Sequence, residues 1–156
     1  MRILVDADAC PVRHFVIKVA KEHKLPVIMF VDTSHQLDDG YSEVVTVDQQ
    51  RDSVDIALIN RTNSHDIVVT QDYGVAAMAL GKGARAINQN GMIYSSENMD
   101  RILLERHISQ KIRRSGGRTS GPRKRTRADD ERFEAALRGM IGRSPGGVLS
   151  VLAPEL

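Results

Sequence analysis

At 156 residues, 41% of them hydrophobic, the chain has the length for one domain with a real core. It shows no run near the ~18 apolar residues of a membrane span and no charged leader before an apolar stretch, so no membrane partner and no signal peptide are expected. A lone cysteine, Cys10, excludes an internal disulfide framework and suits a reducing, cytoplasmic setting. The net charge of +2 hides an asymmetry: residues 1–100 carry 9 Lys+Arg against 14 Asp+Glu, whereas residues 101–156 carry 13 against 6. An acidic body with a basic C-terminal part suggests a polyanionic partner beside a cation-dependent site.

The chain opens on Ile3-Leu4-Val5, an apolar run that fits a strand buried on both faces. Asp6 and Asp8 follow, and Pro11 is placed for the first turn of a helix. Val12, Phe15, Val16, Val19 and Ala20 recur at helical spacing and carry that helix to about Lys24. Val27 to Val31 makes a second strand ending at Asp32. A polar, turn-rich stretch from Thr33 to Ser42 leads to a third strand, Glu43 to Val47. Ser53 to Arg61 reads as a helix with Asp55 off its apolar face. Asp66-Ile67-Val68-Val69-Thr70-Gln71-Asp72 repeats the opening pattern of buried strand and terminal acid.

Tyr73 to Leu80 is a small-residue helix broken at Gly81 and Gly83, followed by a fifth strand from Ala84 to Ile87. Asn90-Gly91 marks a tight turn leading to Met92-Ile93-Tyr94. Ser95 or Ser96 caps a long helix through Met99, Ile102, Leu103 and Ile108 to about Arg114. Residues 115–128 combine Gly, Pro and Ser with dense positive charge and read as a flexible basic loop. Asp129 is expected to cap a last helix, 129–142, with the apolar stripe Phe133, Ala136, Leu137, Met140 and Ile141. Val148, Leu149, Val151 and Leu152 in the tail are expected to pack on the body or on a second subunit, making a homo-oligomer. The alternation of strands and helices predicts a three-layer α/β/α sandwich with a mostly parallel central sheet.

Four aspartates fall where chemistry could use them: Asp6 and Asp8 after the first strand, Asp55 on the helix before the fourth, and Asp72 after the fourth. In a doubly wound sheet the first and fourth strands can be neighbours, with the order reversing between them, and ligands bind in that crevice. Asp6, Asp8 and Asp72 would converge there, with Asp55 reaching the rim. Clustered carboxylates repel and need a cation. All-oxygen donors suit Mg²⁺ or Mn²⁺, while zinc would want His or Cys. The candidate catalytic set is therefore Asp6, Asp8, Asp55 and Asp72, the metal set Asp6, Asp8 and Asp72, and the leading chemistry a metal-dependent phosphodiester cleavage.

Asp-Ala-Asp-Ala-Cys-Pro-Val at 6–12, Asp-Ile-Val-Val-Thr-Gln-Asp-Tyr-Gly at 66–74 and Gly-Pro-Arg at 121–123 resemble the YaiI/YqxD family of small bacterial proteins. That family in turn resembles the PIN-like superfamily, in particular its NYN-type nuclease domains. The resemblance implies acid positions at Asp6, Asp8, Asp55 and, in Thr70-Gln71-Asp72, Asp72. Many of those relatives add a second acid just after the last, where this chain has Tyr73-Gly74. Asp6-Ala7-Asp8 also resembles the opening motif of haloacid-dehalogenase-type phosphatases, with Asp6 as nucleophile, Thr33 or Ser34 as the phosphate-holding hydroxyl and Lys82 as the lysine. Cys10 stands against that motif, and its own expected role is a small buried residue.

Lys111, Arg113, Arg114, Arg118, Arg123, Lys124, Arg125 and Arg127 lie within seventeen residues with no acid among them. Such an arm is expected to track the phosphate backbone of RNA or DNA. It has no aromatic on which bases could stack. A nucleic-acid-binding protein without catalysis is the remaining alternative.

Overall fold

The computed structural model describes residues 1–34, 36–118 and 123–142. Its five strands are β1 (Ile3–Asp6), β2 (Val27–Asp32), β3 (Glu43–Val47), β4 (Ile67–Val69) and β5 (Arg85–Ile87). The helices are α1 (Arg13–His23), α2 (Ser53–Arg61), α3 (Tyr73–Gly81), α4 (Ser96–Arg114) and α5 (Arg127–Ile141). All strand pairs are parallel, in the order β3-β2-β1-β4-β5. The order reverses between β1 and β4, whose register sets Ile3 opposite Ile67 and Val5 opposite Val69. The first and fourth strands are therefore neighbours, the arrangement on which the expected convergence of acids depends.

Strand side chains alternate between faces, and this sorts the core into two clusters. Ile3, Val5, Val27, Met29, Ile67 and Val69 face α1 and α5. Leu4, Ile28, Phe30 and Val68 face α2, α3 and the start of α4. Both faces of the central strands are covered, which makes the three-layer sandwich. Parallel strands joined through helices also send every helix N-terminus after a strand back to the carboxyl end of the sheet. The starts of α1, α2 and α3 therefore gather at one edge.

Several local expectations are corrected. The first helix begins at Arg13, two residues after Pro11, with Val12 as N-cap and no side-chain cap. Ala9 takes a left-handed φ of 56° and the Cys10 N–H donates to Ala7 O at 3.3 Å, so a turn separates strand from helix. The last helix is capped by Thr126, not Asp129: the Asp129 carboxylate accepts from Thr126 N at 2.8 Å as the partner in a capping box. Met92-Ile93-Tyr94 forms only an isolated antiparallel bridge, Ile87 with Ile93. Gly91 has φ 89°, and a Cβ there would stand 2.7 Å from Arg132 O, so only glycine lets this turn lie against α5.

The apolar positions of α4 meet different fates. Met99 is buried, but Leu103, Leu104 and Ile108 are exposed, because only the first turns of the helix rest on the body. Among the described residues, no helix is long and apolar enough to cross a membrane. Val148, Leu149, Val151 and Leu152, His35, Thr119, Ser120, Gly121 and Pro122 lie outside the described residues.

Candidate functional site

Asp6 ends β1, and its Oδ2 accepts a hydrogen bond from Thr70 Oγ1 at 3.0 Å, just past the end of β4. The same Thr70 hydroxyl oxygen accepts from Asp72 N at 3.0 Å. Asp72 is the N-cap of α3, and its Oδ1 accepts from Val75 N at 3.1 Å. One buried hydroxyl thus ties two acids from chain segments more than sixty residues apart. The Tyr94 hydroxyl beneath them donates to Thr70 O at 3.1 Å, and burial, then the charge of Asp72, push it up to about 12.

Asp55 sits in the first turn of α2. The Asp6 carboxyl is pushed up to about 6, chiefly by burial and then by the charges of Asp55, Asp72 and Asp8; the Thr70 hydroxyl opposes the rise. Burial, then Asp72 and Asp52, also raises Asp55. The structure thus brings Asp6, Asp55 and Asp72 within electrostatic reach of one another. Asp8 leans the other way, its Oδ2 accepting from Asp32 N at 3.2 Å at the end of β2. Asp32 in turn accepts from Ser34 N at 2.8 Å and from the Ser34 hydroxyl. Among the described residues, no group of three or more His, Cys, Asp or Glu side chains is gathered closely enough to hold a metal ion as it stands.

Thr70 is the residue whose role in linking the acids pattern reading did not anticipate. Its signal was the Thr-x-Asp spacing at the end of a fully apolar strand. Cys10 is buried and its thiol is pushed up by that burial, in keeping with a packing role. Lys82 lies at the other end of the sheet, beyond the C-terminus of α3, where its Nζ donates to Ile59 O at 2.7 Å. It is in no position to hold a phosphate at Asp6. That removes the lysine the phosphatase pattern needs.

The basic residues divide between two uses. Lys111, Arg113 and Arg114 end α4, and with Arg118 and Lys124 they are exposed. Arg123 pairs with Asp129 at 2.6 Å, which Thr126 N–H and then Arg123 hold down at about 2. Arg125 reaches Asp130 at 2.7 Å and, across the fold, Asn90 Oδ1 and Gln89 O at 2.8 Å each. Arg127 opens α5 and pairs with Glu131 at 3.4 Å. Arg123 and Arg125 thus anchor the start of α5 to its surroundings.

Fold and rim together define an all-parallel α/β protein with carboxylates gathered at the topological switch point of its sheet. The chain belongs to the YaiI/YqxD family: the family model described as "Uncharacterized BCR, YaiI/YqxD family" matches residues 4–143. It is 66% identical over 137 residues to a UPF0178 protein of Ruminiclostridium cellulolyticum, covering 88% of this chain and 90% of that protein. A UPF0178 protein of Clostridium acetobutylicum is 56% identical over 145 residues, covering 92% and 98%. One of Clostridium tetani is 52% identical over 144 residues, covering 92% and 99%. No solved structure matches the chain significantly.

Proposed function

We propose that the protein is a divalent-metal-dependent nuclease of PIN-like type, cutting phosphodiester bonds of RNA or DNA. The observation that carries this reading is that Asp6, Asp55 and Asp72, from three separate segments, lie within electrostatic reach of one another at the carboxyl ends of β1 and β4. A structural carboxylate is normally given donors or a cationic partner. Here Asp6 has one hydroxyl donor and three like charges. That arrangement costs stability and is relieved by a cation.

The donors are all oxygens, which fits Mg²⁺ or Mn²⁺; Asp6 and Asp72 would hold the ion with Asp55 beside them, and Asp8 would join them by turning from Asp32 N. A bound divalent ion supplies a lowered pKa for water and neutralises charge developing on the scissile phosphate. The protein's own part is positioning. Thr70 fixes Asp6 against Asp72, and the N-termini of α2 and α3 present their positive dipole ends to the phosphate. Exposed Lys111, Arg113, Arg114, Arg118 and Lys124 would contact the backbone away from the cut.

The test is incubation of purified protein with end-labelled single-stranded RNA and DNA, in Mn²⁺ or EDTA, comparing wild type with Asp6→Asn. Cleavage should require the ion and fall by ~100-fold or more in the variant. Cleavage that survives EDTA and the substitution equally would overturn the reading. Binding without any cleavage would favour a non-catalytic nucleic-acid-binding protein.

A further inference from the structure

Beyond β4 and β5 the acidic rim opens sideways into a groove of about 480 Å³, lined among others by Asp72, Tyr73, Tyr94, Arg101, Glu105 and Arg106. Two of the three tyrosines in the chain are here. Tyr94 forms part of the lining with its hydroxyl spent on Thr70 O. Tyr73 is half-buried, and the Arg106 guanidinium stands 5.6 Å from its ring centroid, a cation–π contact. Arg101 enters from the preceding turn of α4, its Nε 3.8 Å from Glu105. Arg113, seven residues after Arg106, lies on the same side of α4 two turns further out. The groove therefore starts at a candidate catalytic carboxylate and continues along α4 toward exposed basic residues.

We propose that this groove seats a single nucleic-acid strand, with one base stacked at Tyr73 and Arg106 and the flanking phosphates on Arg101 and Arg106. The inference rests on the nuclease reading for its direction, since it supplies the path by which a strand reaches Asp72. Its chemistry stands on the groove itself. The Arg106 guanidinium lies over the Tyr73 ring, and a base that stacks on this pair, or takes the place of the guanidinium on the ring, finds a sequence-tolerant platform, while a base held in a duplex presents no free face to it. Two cationic side chains five residues apart on α4, a rise of about 7.5 Å along the helix, suit the repeating phosphates of a strand.

The experiment is fluorescence anisotropy in EDTA, where binding is read without cleavage, using labelled 12-nucleotide single-stranded RNA and DNA and the matching duplex. Wild type, Tyr73→Leu, Tyr73→Phe, Arg101→Gln and Arg106→Gln are compared over a salt series, each first shown to melt as wild type does. Wild type should prefer the single strand. Tyr73→Leu should weaken it by about 5- to 150-fold with an unchanged salt slope, and Tyr73→Phe should restore it. Each arginine variant should weaken it and reduce the slope of log K against log salt by ~0.7. Unchanged affinity in Tyr73→Leu and Arg106→Gln, equal affinity for the duplex, or no binding by wild type would each overturn the proposal. A wild type that binds through the groove yet never cleaves in Mn²⁺ would defeat the nuclease reading alone. Cleavage by groove variants at wild-type rate and affinity would defeat the groove alone.

Discussion

Asp6 and Asp66 bracket the two ends of the same pair of strands and are treated in opposite ways. Asp66, 3% exposed, precedes β4 at the amino end of the sheet. Its Oδ1 accepts from Arg2 N at 3.1 Å, and its Oδ2 accepts from Asn63 N at 2.9 Å and from Arg2 Nη2 at 2.8 Å. Both of its oxygens meet donors. Asp6 closes β1 at the carboxyl end with one hydroxyl donor and the charges of Asp55, Asp72 and Asp8 around it. The contrast separates a carboxylate that holds the fold from one that the fold must hold. Two acids of one type, each adjoining an apolar strand, have become a structural pin and a stored electrostatic cost.

The largest effect should come from breaking the pin. Asp66→Ala leaves Arg2 without its partner and two backbone N–H groups without acceptors, and should destabilise by about 3–5 kcal/mol in urea titration. A loss below ~1 kcal/mol would mean that water replaces the carboxylate freely. Asp6→Asn should do the reverse. Because the folded-state pKa of about 6 lies above the ordinary aspartate value of 3.8, the native state keeps the proton longer than the unfolded chain. Stability from this group therefore falls as pH rises from about 4 to about 6, and the full cost is present above that. In metal-free buffer the variant should gain up to about 3 kcal/mol at pH 7.5 and little at pH 4. Equal melting temperatures at both pH values would show that Asp6 carries no such cost.

The contrast was half legible in the chain. Strand, acid and helix recur in order, so a parallel sheet follows from local pattern and general rules, and the adjacency of β1 and β4 is one of the strand orders those rules allow. The convergence of Asp6, Asp55 and Asp72 follows from that topology. Side-chain partners did not follow, because they are set by groups distant in sequence. Arg125 resembles any residue of a basic arm until Asn90 and Gln89, thirty-five residues back, are seen to take its guanidinium. Asp129 resembles an N-cap because Asp is favoured there, yet Thr126 three residues earlier supplies the capping hydroxyl. The periodicity of α4 marks Leu103 and Ile108 as apolar positions, but a repeat cannot say how far the body extends beneath a helix. The groove of Tyr73 and Arg106 joins two helices that only the fold places together.

The smallest of the expected effects tests the link between the acids. Thr70→Val keeps the shape of a 2%-exposed side chain and removes only its hydroxyl. Two bonds go at once: the donation to Asp6 Oδ2 and the acceptance from Asp72 N. The stranded Asp72 N–H should cost about 1–2 kcal/mol. The same hydroxyl is what opposes the rise of Asp6, so its removal should move the Asp6 titration to higher pH. Carboxyl resonances of Asp6 followed by NMR would show this directly, independent of any activity. If the hydroxyl only fills space, the Asp6 titration stays where it is while stability alone declines. A shift upward identifies Thr70 as the residue that keeps Asp6 ionisable near neutral pH, where a cation would need it charged.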